Sequence, residues 1–115
     1  MNDRFRFRAW DKEEKEFYEE IQNLWLGRVR YFTEYLHNEE RFVVEQCTGL
    51  KDKNGKLIYE GDIVRYTRYA RTYEEEYKYT QIIRWELYEF NIKNWEDEKE
   101  VIGNIHENPE LLEWK

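Results

Sequence analysis

The chain has 115 residues, 40% hydrophobic, 39% charged and 18% aromatic, with a formal net charge of −7 and a sequence pI near 5.0. That length fits one domain over residues 1–115, and such a domain buries roughly two thirds of its unfolded surface without a disulfide or metal staple. The single cysteine excludes an internal disulfide, the short apolar runs exclude a membrane-spanning helix, and the acidic balance repels phosphate at long range.

The ten Tyr, six Phe and five Trp supply a core that an otherwise polar chain would lack, which separates it from disordered segments. With no cysteine pair and no signal-peptide pattern, the expected compartment is the cytoplasm, with no membrane contact.

In chain order, residues 4–10 alternate. Phe5, Phe7 and Ala9 share one side and Arg4, Arg6 and Arg8 the other, which predicts a half-buried strand. Residues 11–15 are charged and suit a turn. Residues 12–25 fit two readings. Phe17, Ile21 and Leu24 stand at helical spacing with Gly27 beyond them, and a charged hairpin followed by an irregular loop fits the same letters. Residues 28–36 are rich in Val, Tyr, Phe and Thr and predict a strand, with a turn at 37–40 and a further strand at 42–46.

Asn54-Gly55, between Lys53 and Lys56, is the strongest hairpin signal, because Asn-Gly supplies the positive φ values of a type I′ turn. Residues 57–59 are short and apolar. Gly61 then permits a bend or bulge before a strand at 63–67. Residues 65–79 read as two strand ends around the acidic Glu74, Glu75 and Glu76. Residues 81–92 alternate in part, with Ile83, Trp85 and Leu87 on one parity. An acidic loop around Trp95 covers 94–100, and 101–105 is a short strand. Asn108 followed by Pro109 predicts an N-cap and a terminal helical turn over 109–113. Many short strands with turn signals and at most one sizeable helix predict a mainly β fold, a small barrel or rolled sheet with additional strands.

Three stretches carry a family likeness. The first is Phe5-Arg6-Phe7-Arg8-Ala9-Trp10-Asp11-Lys12. The second runs from Gln46 through Gly49, Asn54-Gly55-Lys56 and Gly61-Asp62 to Val64, and the third from Val101 through Gly103-Asn104 and Asn108-Pro109 to Leu112. In this order and spacing the chain resembles the YopX-like family of phage and prophage proteins. The resemblance implies a mainly β architecture with a barrel similar to SH3-type barrels, and it carries no catalytic residue across. The matching residues Gly49, Asn54, Gly55, Gly61, Asp62, Asn108 and Pro109 are read as fold-specifying: a tight hairpin, a turn into a barrel strand, and a capped helical turn packing Leu111 and Leu112.

Few residues point to chemistry. A metal site needs several converging ligands, and His37, His106 and Cys47 are isolated in sequence, so no metal or cofactor is expected. Cys47 as a nucleophile would need a base such as His106 brought beside it by the fold; a small, partly buried residue is the simpler reading. Among 26 Asp and Glu residues chance pairs are inevitable; Asp62 stands out by its place at a turn, where backbone hydrogen bonding is the usual role.

The segment holding Arg65, Tyr66, Arg68, Tyr69, Arg71 and Tyr73 interleaves cations with aromatic faces, the mix that grips phosphates and stacks single-stranded bases. Arg4, Arg6 and Arg8 would add a second basic face, while Glu74–Glu76 and the net acidity weigh against it. The surplus of Tyr, Trp and Arg, with Trp25, Trp85, Trp95 and Trp114 more than so small a core needs, favours a protein contact surface. The leading expectation is a non-enzymatic phage accessory protein acting as a self-associating interaction module, with a phage or host protein as a further partner. The alternative is a single-strand nucleic-acid binder using residues 65–73.

Overall fold

The computed structural model of the chain describes residues 3–22, 32–69, 76–86, 89–92 and 97–112. The chain is mainly β and divides into two units, Met1–Gly49 and Leu50–Lys115, each with its own hydrophobic cluster.

In the first unit a single 3-10 turn, Asp3–Phe5, leads into β1 (Phe7–Asp11), β2 (Glu16–Tyr18), α1 (Phe32–His37) and β3 (Phe42–Lys51), whose last two residues pass into the second unit. β1 lies between β2 and β3 and is antiparallel to both, with Ala9 opposite Tyr18 and Val44. The hairpin reading of residues 12–22 is the one adopted. Asp11 closes the turn: its backbone carbonyl accepts from Lys15 N at 2.8 Å, and its Oδ1 accepts from the amides of Glu13 and Glu14 at 2.9 and 3.1 Å. Lys15 takes a φ of 59° there. The helical spacing of Phe17 and Ile21 has a different cause. Phe17 packs edge-on against Trp10 from β2, whereas Ile21 enters the core beyond the strand. Leu24 and Gly27 lie outside the described residues.

Two expectations are corrected here. The strand predicted over 28–36 is, from Phe32 onward, the helix α1; residues 28–31 lie outside the described residues. β-propensity records how well a residue fits a pleated surface and does not itself fix the backbone. A helix brings Phe32 and Tyr35, three apart, onto one face, and Tyr35 is buried between Tyr18 and Phe42 with centroids 6.0 and 4.9 Å away. The alternation of residues 4–10 also fails at its start: Phe5 sits in the 3-10 turn and is 63% exposed. Within β1 both faces are covered, since Arg8, Ala9, Trp10 and Asp11 are all buried. The core is Ala9, Ile21, Tyr35 and Phe42, with Phe7, Tyr18, Phe32 and Val44 packed on it.

The second unit contains β4 (Leu57–Tyr59), β5 (Asp62–Tyr69), β6 (Glu76–Ile82), β7 (Trp85–Glu86), β8 (Glu89–Phe90) and β9 (Glu98–Asn104), then a 3-10 turn at Pro109–Leu112. β4 pairs with β3, β5 is the middle strand between β6 and β9, and β7 and β8 form a separate two-stranded ribbon. Gly61 makes the bend into β5, and the irregularity between Ile63 and Val64 lies on the partner, where β9 carries the extra residue Ile102. Ile58, Val64, Tyr66, Ile83 and Ile92 make the core, with Leu50, Tyr79, Phe90 and Val101 against it. The acidic loop predicted over 94–100 yields to strand at Glu98, where β9 begins to pair with Thr67. Residues 94–96 of that loop, with Trp95, and the Glu74–Glu75 stretch lie outside the described residues.

Candidate functional site

The motif residues explain themselves locally. Gly55 and Gly61 have φ of 82° and 89°, a region that costs any residue with a Cβ about 1–2 kcal/mol. The type I′ turn expected at Asn54-Gly55 is corrected: Asn54 does not take a positive φ, and Gly55 N donates to Asp52 O at 3.0 Å, so Lys53 and Asn54 are the central residues of the turn and Gly55 follows it in the left-handed region. Gly61 is also a junction: its N–H donates to Ile83 O at 2.8 Å and its carbonyl accepts from Ile105 N at 3.0 Å. Asp62, fully buried, accepts from Tyr59 N at 2.8 Å through Oδ2, the backbone role expected of it.

Asn108 does something else than cap forward. Its Oδ1 accepts from Asn104 N at 3.2 Å, behind it in the chain, and its carbonyl accepts from Leu111 N. Gly103 makes room for this, because a Cβ there would stand 2.6 Å from Asn108 Oδ1. Asn104 in turn accepts from His106 and Glu107 amides at 3.0 and 2.9 Å. His106 thus belongs to a turn.

Sequence reasoning passed over Asp52, which organises the hairpin tip. Oδ1 accepts from Asn54 N and Lys56 N, and Oδ2 from Val101 N, all at 2.9 Å. Burial alone would raise its pKa; the three amides outweigh that and hold it below the usual carboxylate range. Its signal was present, an Asp two residues before Asn-Gly, where Asx turns begin.

The basic–aromatic segment is divided by its strand. Tyr66, in mid-β5, points into the core and is 1% exposed. Its ring stacks on Tyr79, directly opposite in register, with centroids 4.8 Å apart and planes 9° off parallel. Lys99, opposite on β9, lies 5.8 Å over the Tyr66 ring. Burial pushes the Tyr66 hydroxyl up to about 12. Arg65 pairs with Glu100 at 3.4 Å and Arg68 with Asp97 at 3.2 Å. Asp97 also accepts from the Tyr79 hydroxyl, and Tyr79 and Arg68 together hold its carboxyl below the usual range. The structure therefore gathers Arg65, Tyr66 and Arg68 into one sheet but turns the first and third to carboxylates and the second inward. The side chain of Tyr69, with Arg71 and Tyr73, lies outside the described residues. The proposed second basic face is likewise engaged: Arg6 pairs with Asp3 and Glu20, and Arg8 with Glu45.

Trp85 is different. It is 44% exposed, on β7, packed edge-to-face on Phe90 across the ribbon at 4.8 Å. The ribbon is braced from below. Asn91 N donates to Arg84 O at 2.9 Å, Asn91 Oδ1 accepts from Arg84 N at 2.8 Å, and Asn91 Nδ2 donates to Ile82 O at 2.9 Å. Gln81 Nε2 donates to Asn91 O, and Gln81 Oε1 accepts from the Tyr66 hydroxyl. Ile83 and Trp85 share a parity in sequence but not an environment: β6 ends at Ile82, Ile83 is buried just beyond it, and Trp85 stands exposed on β7.

Cys47 is buried in β3, where its Sγ lies 3.4 Å from Gly49 N. Among the described residues no three His, Cys, Asp or Glu side chains converge as metal ligands, and no helix is long and apolar enough to cross a membrane.

A family model described as "YopX protein" matches residues 6–113. The chain is also similar to a solved structure, protein EF1440 from Enterococcus faecalis, at 30% identity and a TM-score of 0.65, covering 94% of this chain and 97% of that one. No curated protein matches it.

Proposed function

The chain belongs to the YopX family, and we propose that it is a non-enzymatic interaction module that self-associates through the face carrying Trp85, in the cytoplasm of a bacterium harbouring a phage or prophage. The observation that supports this reading is Trp85 itself. A large aromatic side chain stands 44% exposed on a ribbon whose base Asn91 and Gln81 brace with hydrogen bonds. Rigid, amphipathic aromatic side chains are what binding hot spots are made of. Covering the exposed part of such a ring is worth about 2 kcal/mol, and a two-fold dimer counts that contribution twice.

The competing reading, single-strand binding through residues 65–73, receives less support. Arg65 and Arg68 already face Glu100 and Asp97, and Tyr66 offers no accessible ring face.

Sedimentation equilibrium at roughly tens of micromolar protein tests the proposal, with Trp85→Ala beside the unaltered chain. Association weakened by the substitution is the expected result, and a strict monomer removes the self-association. A pull-down from phage-infected cells, with and without nuclease, separates the two readings. Partners that survive nuclease favour the protein module, and partners lost to it favour the nucleic-acid binder.

A further inference from the structure

The Asn54-Gly55 pair sits at the hairpin tip, and the tip's hydrogen bonds leave one chemical property of it unused. We propose that Asn54 is a modification site, a latched deamidation centre whose reaction is restrained by the hydrogen bonds of Asp52 and whose product loosens the hairpin.

The chemistry needs little apparatus. The backbone nitrogen of Gly55, after losing its proton to hydroxide, attacks Asn54 Cγ. A C–N bond forms, the side-chain amide nitrogen leaves as ammonia, and a five-membered cyclic imide results. Water then opens either carbonyl of that imide, giving aspartate or its β-linked isomer. The net change is amide plus water to carboxylic acid plus ammonia, with no oxidant or reductant. Glycine favours it because no Cβ hinders the attacking nitrogen, and Asn54 is the one asparagine of the chain followed by glycine.

The geometry supplies access and restraint together. Asn54 and Gly55 are both exposed, and nothing beyond Gly55 and its two chain neighbours comes within 4 Å of where a Gly55 Cβ would be, so water reaches the site. The nitrogen that must attack is engaged, however: Gly55 N donates to Asp52 O at 3.0 Å. The amides on either side of it, Asn54 N and Lys56 N, are pinned to Asp52 Oδ1 at 2.9 Å. The same residue thus withholds the proton of the nucleophile and fixes the backbone torsions about Asn54.

Release has a structural consequence. The tip is docked on β9 by Lys53 N to Lys99 O at 2.8 Å and by Val101 N to Asp52 Oδ2 at 2.9 Å. A β-linked residue adds a methylene to the main chain within the turn, and either product sets a new carboxylate beside Asp52. Both changes act against the hydrogen bonds that hold the tip in place.

The test ages the full-length chain in mildly alkaline buffer, folded and in urea, and follows each asparagine by peptide mass mapping, with isoaspartyl methyltransferase labelling of the β-linked product. Residue 54 is expected to gain the amide-to-acid mass change before any other asparagine in urea. In the folded chain its rate should be lower by roughly fivefold or more, the ratio that one net hydrogen bond is worth. Asp52→Asn, which keeps the side-chain oxygen but weakens its hold on the amides, should move the folded rate toward the unfolded one, and Asn54→Gln should suppress the reaction in both states. Another asparagine reacting first in urea overturns the site. Equal folded and unfolded rates for the unaltered chain overturn the latch.

Discussion

Asp11, Asp52 and Asp97 each sit where a charge is costly and are each held ionised by donors. Asp11 is the extreme case: fully buried, it accepts from Arg41 through both oxygens, at 3.1 Å from Nε and 2.9 Å from Nη2, and the Arg41 guanidinium holds its carboxyl far below the usual range. A carboxyl whose folded pKa is depressed binds its proton more readily in the unfolded chain, so its contribution is complete above the unfolded value of about 3.9 and is lost as pH falls below it. The urea midpoint should therefore be flat from neutrality to near pH 5 and fall steeply below about pH 4. Asp11→Asn should lower the midpoint at neutral pH and flatten the acid limb; an unchanged acid slope would refute the assignment. Asp52→Ala strips the acceptor from three amides, of which Val101 N is the part-buried one on the edge of β9, and should cost about 2 kcal/mol, read from the urea midpoint at neutral pH. None of these three aspartates was singled out by the sequence. Twenty-six acidic residues look alike as letters, and what distinguishes these three is donors brought from distant positions, Arg41 to Asp11 and Val101 to Asp52.

Turns were legible where glycine or an Asx residue dictated a torsion, and elements were misread where packing decided. Asn54-Gly55, Gly61 and Pro109 marked their turns because local sterics suffice there. Residues 32–37 carried strand propensity and became helix because Phe32 and Tyr35 reach the same core only at helical spacing. The closing motif shows a coupling that spacing hides, since Gly103 is required by Asn108 five positions later. Gly103→Ala should cost about 1–3 kcal/mol by displacing the Asn108 side chain. The double substitution with Asn108→Ser should cost clearly less than the two single costs summed. Urea unfolding of the four chains closes the cycle, and simple additivity would break the link.

Over the whole molecule, a net charge of −7 coexists with arginines that already face carboxylates, Arg65 to Glu100 and Arg68 to Asp97. Titration of a single-stranded oligonucleotide at low salt should accordingly yield little binding. Binding that is tight and falls steeply with salt would restore residues 65–73 as the contact. Trp85→Ala should leave the unfolding midpoint within about 1 kcal/mol of the unaltered chain, because the exposed Trp85 makes one edge-to-face contact, with the half-buried Phe90. A large loss would mark Trp85 as a folding residue. The mainly β class was readable from the density of short strands and turn signals. The candidate contact was only half readable: the surplus of tryptophan pointed to a surface, but that Trp85 stands outward depended on where β6 ends, and Trp25, Trp95 and Trp114 lie outside the described residues.

The tip of the Asp52 hairpin also blunts a sheet edge. By taking Lys99 O and Val101 N, it occupies β9 on the side away from β5, which an incoming strand would otherwise use. Val101 N owes its shielding to a side chain instead of a neighbouring strand, so its amide should exchange with deuterium each time the tip lifts, without the sheet opening. That one proton is a native clock for the clasp, readable in an otherwise undisturbed protein.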